Sequence, residues 1–367
     1  MSPAPSVSQP ATSYDVVVIG SGPGGYWAAI RAGEYGLKTL CIEKDPKLGG
    51  TCLHVGCIPT KALLYSADVM DTFRNAKELG FDVGPVAVNW GQMQARKNKI
   101  VAKHAKGIEF LYRKNKVDWM QGVAAFTGTP GQLDVTKPDG STTRIQAKNI
   151  IVATGSTARM LPGLRADDRI LTNVEILTLP EIPKRLVIIG AGAVGVEFAS
   201  IYRRFDTEVT LLEMLPRIVP VEDEEISREL EKALKKQKIN IETRAKFEKV
   251  ETADAGVKVT YTNAEGKQQV IEADKLLVAV GRAPVTEGLH LEKTKIQTER
   301  GFIKTDNYMR TAEPNVYAIG DVVAGSPLLA HVGSMEGMVA VAHIAGKPFR
   351  DMDYTRVPNC TYCEPQV

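Results

Sequence analysis

The chain has 367 residues, a formal net charge of +3 at pH 7 and five cysteines. This length predicts two or three domains with ample core. The near-neutral charge gives no sign of a nucleic-acid or membrane partner, and five cysteines in so long a chain are not a disulfide framework, so we expect a reducing compartment.

The first thirteen residues, Met1 to Ser13, are rich in Ser, Pro and Ala and predict a disordered leader. They lack the basic and apolar regions of a secretory signal and the arginines of a transit peptide. No apolar run in the chain approaches the roughly 20 residues of a membrane span. We therefore expect a bacterial cytoplasmic protein, although a processed organellar form would have the same features.

A first nucleotide-binding pattern follows. Residues 14–19 are apolar and β-branched, which predicts a buried parallel strand, and residues 26–32 predict a helix. Between them lie three glycines of the kind that form a tight turn and admit a pyrophosphate: Gly20, Gly22 and Gly25. The next strand, residues 39–42, ends in Glu43, whose carboxylate is spaced to bond a ribose hydroxyl.

Two cysteines, Cys52 and Cys57, precede a predicted helix start at Pro59. A bridge between them would close a very small loop, and such bridges tend to be labile and catalytic rather than stabilising. A thiol at a helix N-terminus near Lys61 should have a lowered pKa. The pair alone is equally consistent with two buried structural cysteines or half of a metal site.

Residues 96–116 are rich in basic side chains, which nucleic-acid and membrane-binding segments share. The apolar residues within this stretch recur at roughly helical spacing. We therefore predict a helix whose basic face is solvated, and we expect no such partner. The basic residues are Arg96, Lys97, Lys99, Lys103, Lys106, Arg113, Lys114 and Lys116.

The nucleotide-binding pattern then repeats, with a strand at residues 185–189, a helix at residues 196–205 and a strand ending in Glu213. The glycines of the second turn are Gly190, Gly192 and Gly195. Two complete patterns predict two dinucleotides. Glu213 would repel a 2′-phosphate, which favours NAD, while Arg217 leaves NADP open unless it is a solvated loop residue.

Strands are also predicted within residues 150–156, 275–282 and 315–321, and the first two lie where the chain would pass between nucleotide domains. The predicted fold class is therefore α/β, with two Rossmann-like three-layer domains, one inserted into the other. The predicted boundaries are 14–154 with 282–354 for the discontinuous first domain, and 155–281 for the inserted domain.

With these motifs in place, residues 49–64 (GGTCLHVGCIPTKALL) resemble the pyridine nucleotide–disulfide oxidoreductases that carry a C-x4-C redox pair. Within that family the chain is most similar to the dihydrolipoamide dehydrogenases, from about residue 14 to its last residue. The resemblance implies FAD in the first domain and NAD in the inserted one. It also implies electron flow from dihydrolipoamide through a Cys52–Cys57 disulfide and FAD to NAD⁺.

The resemblance carries roles to individual residues. Cys57 would face the flavin as a thiolate, Cys52 would react with substrate, and Lys61 would approach the flavin N5 and pair with Glu197. The residues that would hold FAD, besides Lys61, are Gly20, Gly22, Gly25, Glu43, Thr154, Gly155, Ser156, Asp321, Leu328, Leu329, Ala330 and His331. The residues that would line the NAD site are Gly190, Gly192, Gly195, Glu197, Glu213 and Gly281.

Some of these assignments have plain alternatives. Lys61 is otherwise an exposed helix residue, and His331 a packing histidine without chemistry. Cys360 and Cys363 form a C-x2-C that is either a second redox or metal motif or an incidental pair, and we predict no metal site. His331 and Glu336 match the spacing of a catalytic His–Glu pair, but they belong to the flavin segment.

The resemblance also sets expectations about the end of the chain. Residues 355–367 look like the opening of an interface domain that, in relatives, forms a homodimer and supplies a catalytic histidine. The sequence contains neither the rest of that domain nor a His-x4-Glu pair after residue 355, so we expect cofactor binding and weak diaphorase activity and regard a homodimer of this chain as doubtful. The family's partner is dihydrolipoamide on a lipoyl-bearing carrier domain. The alternatives are an NADPH-dependent reductase of the glutathione or mercuric type and a non-catalytic FAD-binding fragment.

Overall fold

A computed structural model describes residues 12–253 and 256–367. Within these residues the chain forms two compact units. Unit 1 contains residues 12–52, 105–156 and 284–357, and unit 2 contains residues 53–104, 157–283 and 358–367. Most of the predicted leader lies outside the described residues. The first described strand begins at Thr12 and pairs there with Ile145.

Besides three short 3-10 helices, eight α-helices occur in the described residues. They are α1 (Pro23–Glu34), α2 (Gly50–Val55), α3 (Cys57–Arg74), α4 (Trp90–Lys114), α5 (Asn173–Ile176), α6 (Ala193–Arg204), α7 (Glu224–Lys236) and α8 (Ala330–Ile344). None of these helices is long and apolar enough to cross a membrane.

The strands of unit 1 are β1 (Thr12–Ile19), β2 (Thr39–Glu43), β3 (Val117–Gln121), β4 (Val123–Phe126), β5 (Gln132–Thr136), β6 (Thr142–Val152), β17 (Thr298–Glu299), β18 (Phe302–Ile303) and β19 (Val316–Ala318). Those of unit 2 are β8 (Ile170–Leu171), β9 (Arg185–Ile189), β10 (Glu208–Glu213), β11 (Asn240–Thr243), β12 (Lys246–Ala253), β13 (Gly256–Thr262), β14 (Gln268–Ala273) and β15 (Lys275–Val278). Two short strands, β7 (Ser156–Ala158) and β16 (Arg282–Pro284), lie where the chain passes from one unit to the other.

Unit 1 is built on a seven-stranded sheet in the order β3-β2-β1-β6-β5-β4, with β19 also paired to β6. Strands β1, β2, β3, β6 and β19 run parallel, and β4 and β5 add an antiparallel extension. Strand β2 is buried along its whole length, as expected where helices cover the parallel part of such a sheet. The glycine turn after β1 therefore lies at the carboxyl edge of this sheet, where α/β folds bind ligands.

Unit 2 contains a second parallel sheet of five strands, in the order β11-β10-β9-β15-β8. An antiparallel sheet, β12-β13-β14, accompanies it. Both units thus carry the strand–turn–helix that the sequence predicted, and the fold is α/β with Rossmann-like parallel sheets.

The placement of residues 53–104 differs from the sequence prediction, which put them in the first domain. They belong to unit 2 because α3 and α4 supply apolar side chains to its core. Leu63 packs in the same buried cluster as Phe198, and the Trp90 indole N–H donates to the Leu179 carbonyl at 2.9 Å. Residues 358–367 likewise belong to unit 2.

The basic segment does form a helix, α4, and most of its cations are exposed. Lys97 is the exception to the predicted solvated face, since it is only 3% exposed. Its ammonium donates to the Leu177 carbonyl and to Gln94. Burial lowers the pKa of Lys97. Helical spacing puts Lys97 on the apolar face of α4, three and four residues before Ile100 and Val101, and this is why it is buried while the other basic side chains are not.

Candidate active site

The first glycine turn joins β1 to α1. Gly20 has φ +103°, a left-handed conformation that favours glycine, and its N–H donates to the Ile42 carbonyl at 2.7 Å. A Cβ at Gly25 would lie 1.9 Å from the Gly20 carbonyl oxygen. Gly22 is the N-cap of α1, and a Cβ there would meet nothing within 4 Å. The turn therefore leaves open space in front of a helix N-terminus, which suits a pyrophosphate.

The second turn, between β9 and α6, has the same construction. Gly190 has φ +102°, its N–H donates to the Leu212 carbonyl at 2.8 Å, and a Cβ at Gly195 would lie 1.9 Å from the Gly190 oxygen. Gly192 is the N-cap of α6, and a Cβ at this position would again meet nothing within 4 Å. Unit 2 therefore has its own cradle for a second dinucleotide phosphate.

Each of the two predicted acidic residues braces its own glycine turn. Glu43 is buried and accepts hydrogen bonds from the Ser21 N–H (2.8 Å) and the Ser21 hydroxyl (2.6 Å). Glu213 accepts from the Ala191 N–H at 2.7 Å and from the Leu215 N–H at 2.8 Å. A carboxylate has about four acceptor sites, so neither is saturated and both retain capacity for a ribose hydroxyl.

Several polar side chains lie further along the carboxyl edge of the unit 1 sheet. The Ser156 hydroxyl donates to Asp321 Oδ2 at 2.6 Å, and the Thr154 hydroxyl donates to the Val285 carbonyl at 2.6 Å. Gly155 is left-handed, with φ +69°, and a Cβ there would meet nothing within 4 Å. The structure thus brings together the residues assigned to FAD on two separate strand ends of unit 1.

Glu336 on α8 supports this region and was not predicted to do so. It is fully buried and accepts from the Gly320 N–H, the Ser326 hydroxyl (2.6 Å) and the Tyr354 hydroxyl (2.7 Å). Burial raises its pKa, although these three donors act in the opposite direction. The signal in the sequence was a lone acidic residue in an otherwise apolar helix. Its role is to fix the turn that carries Asp321.

The segment assigned to run beside the flavin, Leu328 to His331, forms the start of α8. Leu329 is the N-cap without a side-chain cap, and Leu328 and His331 are exposed. The first N–H groups of a helix have no partner within the helix and carry partial positive charge. This helix start can therefore stabilise negative charge.

Cys52 and Cys57 are joined by a disulfide. Cys57 is the first residue of α3, after the N-cap Gly56, so its sulfur lies at the end of the helix where an anion is favoured. Lys61 lies one helical turn further on the same face. Two bonded sulfurs do not fit half of a metal site, and their place at a helix start fits the disulfide that the resemblance implies.

Lys61 and Glu197 form the predicted ion pair. The ammonium lies 2.8 Å from Glu197 Oε1 and 3.0 Å from Oε2, and the carboxylate is largely buried. Sequence reasoning missed the third member, Tyr362. Its main-chain N–H donates to Glu197 Oε1 at 3.0 Å, and its ring centroid lies 4.4 Å from the Lys61 ammonium. Lys61 is thus not an ordinary exposed helix residue.

Three further ion pairs join α3 to the last residue of α6 and to the turn that follows it. Arg204 is buried and bonds the carboxylates of Asp68 and Asp71, and Arg74 lies 2.9 Å from Asp206. Asp68 and Arg204 each lie seven residues, or about two turns, after Lys61 and Glu197. The ion pair therefore stands at one end of a series of charge contacts that fixes the two helices against each other.

The remaining site predictions fall in unit 2 and near the chain end. Gly281 is left-handed, with φ +108°, and its carbonyl accepts from the Arg159 N–H. Arg217 contacts the Pro220 carbonyl and, at 3.8 Å, Glu224. Cys360 and Cys363 are free thiols, and burial raises the pKa of Cys363 to about 12, which disfavours the thiolate. No metal-ligand cluster was found among the described residues.

Comparisons with known proteins agree with this geometry. Residues 14–337 match the family described as pyridine nucleotide-disulphide oxidoreductase. The chain is 44% identical to a dihydrolipoyl dehydrogenase of Chlorobaculum tepidum, over 97% of this chain and 76% of that protein. It is 43% identical to a leghemoglobin reductase of Vigna unguiculata, over 96% of this chain and 68% of that protein.

A solved structure gives the same result. LpdA from Mycobacterium tuberculosis superposes with a TM-score of 0.89 at 29% identity, over 97% of this chain and 77% of that one. The likeness therefore extends across nearly all of the chain. The chain belongs to the pyridine nucleotide-disulphide oxidoreductase family, whose members are oxidoreductases that use FAD and a pyridine nucleotide.

Proposed function

We propose that the chain is a dihydrolipoyl dehydrogenase, which moves an electron pair from a dithiol substrate to NAD⁺. The observation that carries this proposal is the disulfide at the first turn of α3, with a lysine–carboxylate pair one turn further on. A disulfide in this setting is built to open and close rather than to staple the fold. The similar proteins with that printed name support the substrate class.

The thiol chemistry follows from the position of each sulfur. One thiolate of the substrate attacks Cys52, the Cys52–Cys57 bond breaks, and Cys57 leaves as a thiolate. The second substrate thiol, after losing its proton, then displaces Cys52, so that the substrate becomes a disulfide and the protein a dithiol. Cys57 is the better leaving group because the N-terminus of α3 stabilises its negative charge.

The residues present fit both cofactors. Open space at Gly22 and Gly192 lies in front of two helix N-termini, and Glu43 and Glu213 retain acceptor capacity. Asp321, held by Ser156, offers a carboxylate beside the FAD cradle in unit 1. When bound, FAD supplies the two-electron relay between a dithiol and NAD⁺.

The chain's own charges would tune that relay. The start of α8 presents N–H groups that favour negative charge, and Lys61 supplies a fixed ammonium on α3. Glu197 compensates that ammonium, because a half-buried lysine without a partner carries a desolvation cost. Lys61 is accordingly proposed as a catalytic residue, and Glu197 as the group that keeps it charged and oriented.

The test is anaerobic reduction of the FAD-bound protein with NADH. We expect a long-wavelength absorption band from a thiolate in contact with the flavin. Cys52→Ser should show the band without reduction because Cys57 is then free, whereas Cys57→Ser should lack it. Identical spectra for the two variants would contradict the division of labour between the cysteines. Absence of the band in the reduced parent, with FAD bound, would favour the non-catalytic alternative.

The reductase alternative is separated by cofactor preference. Glu213 stands where NADP-dependent enzymes need a site tolerant of a 2′-phosphate, and it is buried and negatively charged. We therefore expect a preference for NADH of at least about tenfold, which corresponds to roughly 1.4 kcal/mol. A clear preference for NADPH would favour the glutathione or mercuric type of reductase.

The partner is proposed to be a dihydrolipoyl group on a carrier domain, while a homodimer is the arrangement expected of the family's full-length members. Free dihydrolipoamide and a lipoylated carrier domain should be compared as substrates, beside a dye-reduction assay with NADH. Better turnover with the carrier would support the macromolecular partner. Lipoamide turnover would support the proposed dehydrogenase, whereas dye reduction without lipoamide turnover would match the expectation of weak diaphorase activity alone.

A further inference from the structure

The Lys61–Glu197 pair has a third participant whose placement is unusually well defined. We define the terminal strip as residues 358–367, all within unit 2. The strip is held against the rest of unit 2 on both sides of Tyr362, and before it the Asn359 amide donates to Glu222 Oε1 at 2.7 Å. The Glu364 N–H donates to the Ser200 hydroxyl at 3.2 Å, and Gln237 donates to the Glu364 carbonyl at 2.6 Å. Thr361 and Cys363 are both buried. Tyr362 is therefore held by its neighbours.

Tyr362 contacts both members of the pair by different means. Its main-chain N–H bonds Glu197 Oε1, while its ring lies over the Lys61 ammonium with 4.4 Å between nitrogen and centroid. The carboxylate oxygen that accepts the peptide N–H also accepts the shorter bond from Lys61, at 2.8 Å. One residue thus fixes the anion through its backbone and faces the cation with its ring.

This arrangement addresses a weakness of lysine. The Lys61 side chain is 37% exposed, and its four-carbon stem carries about 2 kcal/mol of rotamer entropy. With Glu197 as its only neighbour, the Lys61 side chain could adopt several rotamers and still keep one hydrogen bond to the carboxylate. A ring on the other side removes part of that freedom and displaces water from one face. Because the strip is already anchored, ordering the ring costs little.

We propose that Tyr362 is a positioning residue that fixes the Lys61 ammonium, with its ring rather than its hydroxyl as the acting group. This inference rests on the catalytic role proposed for Lys61. A contact of this kind at a partly exposed site changes an equilibrium by about two- to fivefold, so the expected effects are of that size.

The direct test is chemical labelling of lysines in the FAD-bound protein, read by peptide mass spectrometry and independent of turnover. The acylation rate of Lys61 should rise about two- to fivefold in Tyr362→Leu and stay at the parent value in Tyr362→Phe. Lys38, whose ammonium lies 4.9 Å from the Tyr14 ring centroid, is the internal reference and should not change. Glu197→Gln is the positive control and should raise the Lys61 rate further.

Tyr308 provides a matched control. It is 40% exposed, as Tyr362 is, and its ring also lies near a cation, Arg310. Tyr308→Leu should leave Lys61 labelling unchanged. The inference is overturned if Tyr362→Leu labels like the parent, if Tyr362→Phe behaves like Tyr362→Leu, or if Tyr308→Leu has the same effect. Thermal unfolding of each variant identifies any loss of fold, and Tyr362→Phe then still decides the role of the ring.

A parallel spectroscopic measurement separates this inference from the proposed function. Lys61→Met should weaken the thiolate–flavin band after NADH reduction, and Tyr362→Leu should weaken it by a smaller factor of about two to five. An unchanged band in Lys61→Met would remove the catalytic role of Lys61 and leave the labelling result standing. A weakened band in Lys61→Met with a parent-like Tyr362→Leu would overturn only the role of Tyr362.

Discussion

The two glycine turns are nearly identical in their own geometry and differ in what packs around them. Gly20 and Gly190 have φ values of +103° and +102°, and the third glycine of each turn approaches the first glycine's oxygen in the same way. The backbone conformation of a pyrophosphate cradle is therefore fixed by three glycines and two strands. It does not identify which dinucleotide binds.

The surroundings supply the difference. In unit 1, α1 packs closely against α8, because Gly24 and Gly333 allow the two backbones to approach; a Cβ at Gly24 would lie 3.0 Å from the Gly333 oxygen. This contact holds the start of α8 and the Asp321 turn beside the cradle. In unit 2, α6 packs against α3, and the two helices are held together by ion pairs, from Lys61–Glu197 to Arg74–Asp206, rather than by a close contact of glycines.

The two glycine turns have the same backbone conformation, so the difference in their roles must come from the neighbouring helix. In unit 1 that neighbour is α8, which packs on α1, and in unit 2 it is α3, which packs on α6. In unit 1 the partner helix presents a glycine-rich face and a helix start, which suits an extended cofactor. In unit 2 the partner helix carries the redox cysteine and the ion pair. If the glycine turns are equivalent, matching substitutions in them should have matching effects, and differences between the units should arise from α8 and α3.

The largest loss of stability is expected from adding a side chain at the third glycine of each turn. Gly25→Ala and Gly195→Ala each place a Cβ 1.9 Å from a backbone oxygen, which the turn can relieve only by moving. Each should lower the free energy of unfolding by about 3 kcal/mol or more. Denaturant unfolding measures this. Gly107→Ala on α4, where a Cβ meets nothing within 4 Å, is the control and should be neutral or stabilising. If Gly25→Ala and Gly195→Ala unfolded at the same denaturant concentration as Gly107→Ala, the turns would tolerate a side chain.

A smaller and more selective effect is expected at the middle glycines. Gly22→Ala and Gly192→Ala meet no protein atom within 4 Å and have φ values of −63° and −74°, so the fold should stay intact. The methyl group instead occupies cofactor space. Gly22→Ala should lower FAD retention about tenfold or more, and Gly192→Ala should raise the KM for NADH similarly with FAD retained. If Gly22→Ala raised the KM for NADH and Gly192→Ala lowered FAD retention instead, the two cofactors would have to be assigned to the opposite units.

The sequence predicted the parts of the site that are local along the chain. Both cradles depend on glycines at fixed spacing within a single strand–turn–helix, so Gly20 and Gly190 were found without knowledge of the rest of the fold. The start of α3 was likewise visible in Pro59. The Lys61–Glu197 pair was available only through resemblance, because 136 residues separate its members.

What the sequence did not predict depends on long-range packing. Tyr362 meets Glu197 across 165 residues, through a backbone N–H that no side-chain pattern encodes. Lys97 lies three and four residues before Ile100 and Val101, on the apolar face of its helix, and its ammonium donates to the Leu177 carbonyl, 80 residues away. Residues 53–104 were assigned to the first domain because they follow it in the chain, yet their apolar side chains belong to the core of unit 2.

The smallest expected effect tests the element that distinguishes unit 1, the buried Glu336 on α8. Burial raises the pKa of its carboxyl above the ordinary value of 4.5, so the folded state holds its proton more tightly than the unfolded state. Below pH 4.5 the carboxyl is protonated in both states and costs nothing. As the pH rises through the raised folded-state pKa, the unfolded state gains relative to the folded one. The melting temperature of the parent should therefore fall relative to that of Glu336→Gln as the pH rises from about 4.5.

Thermal unfolding of the FAD-bound parent and Glu336→Gln across this pH range measures the difference. Glu292→Gln is a suitable control because Glu292 is exposed and its pKa is lowered by the hydrogen bond with His290. Its difference from the parent should change in the opposite direction, since stability from a lowered carboxyl pKa is present above the ordinary value and lost as the pH falls. A constant difference for Glu336→Gln would mean that the three donors offset burial completely. Glu336 would then hold the Asp321 turn without an electrostatic cost, and the partner helix of unit 1 would act through shape alone.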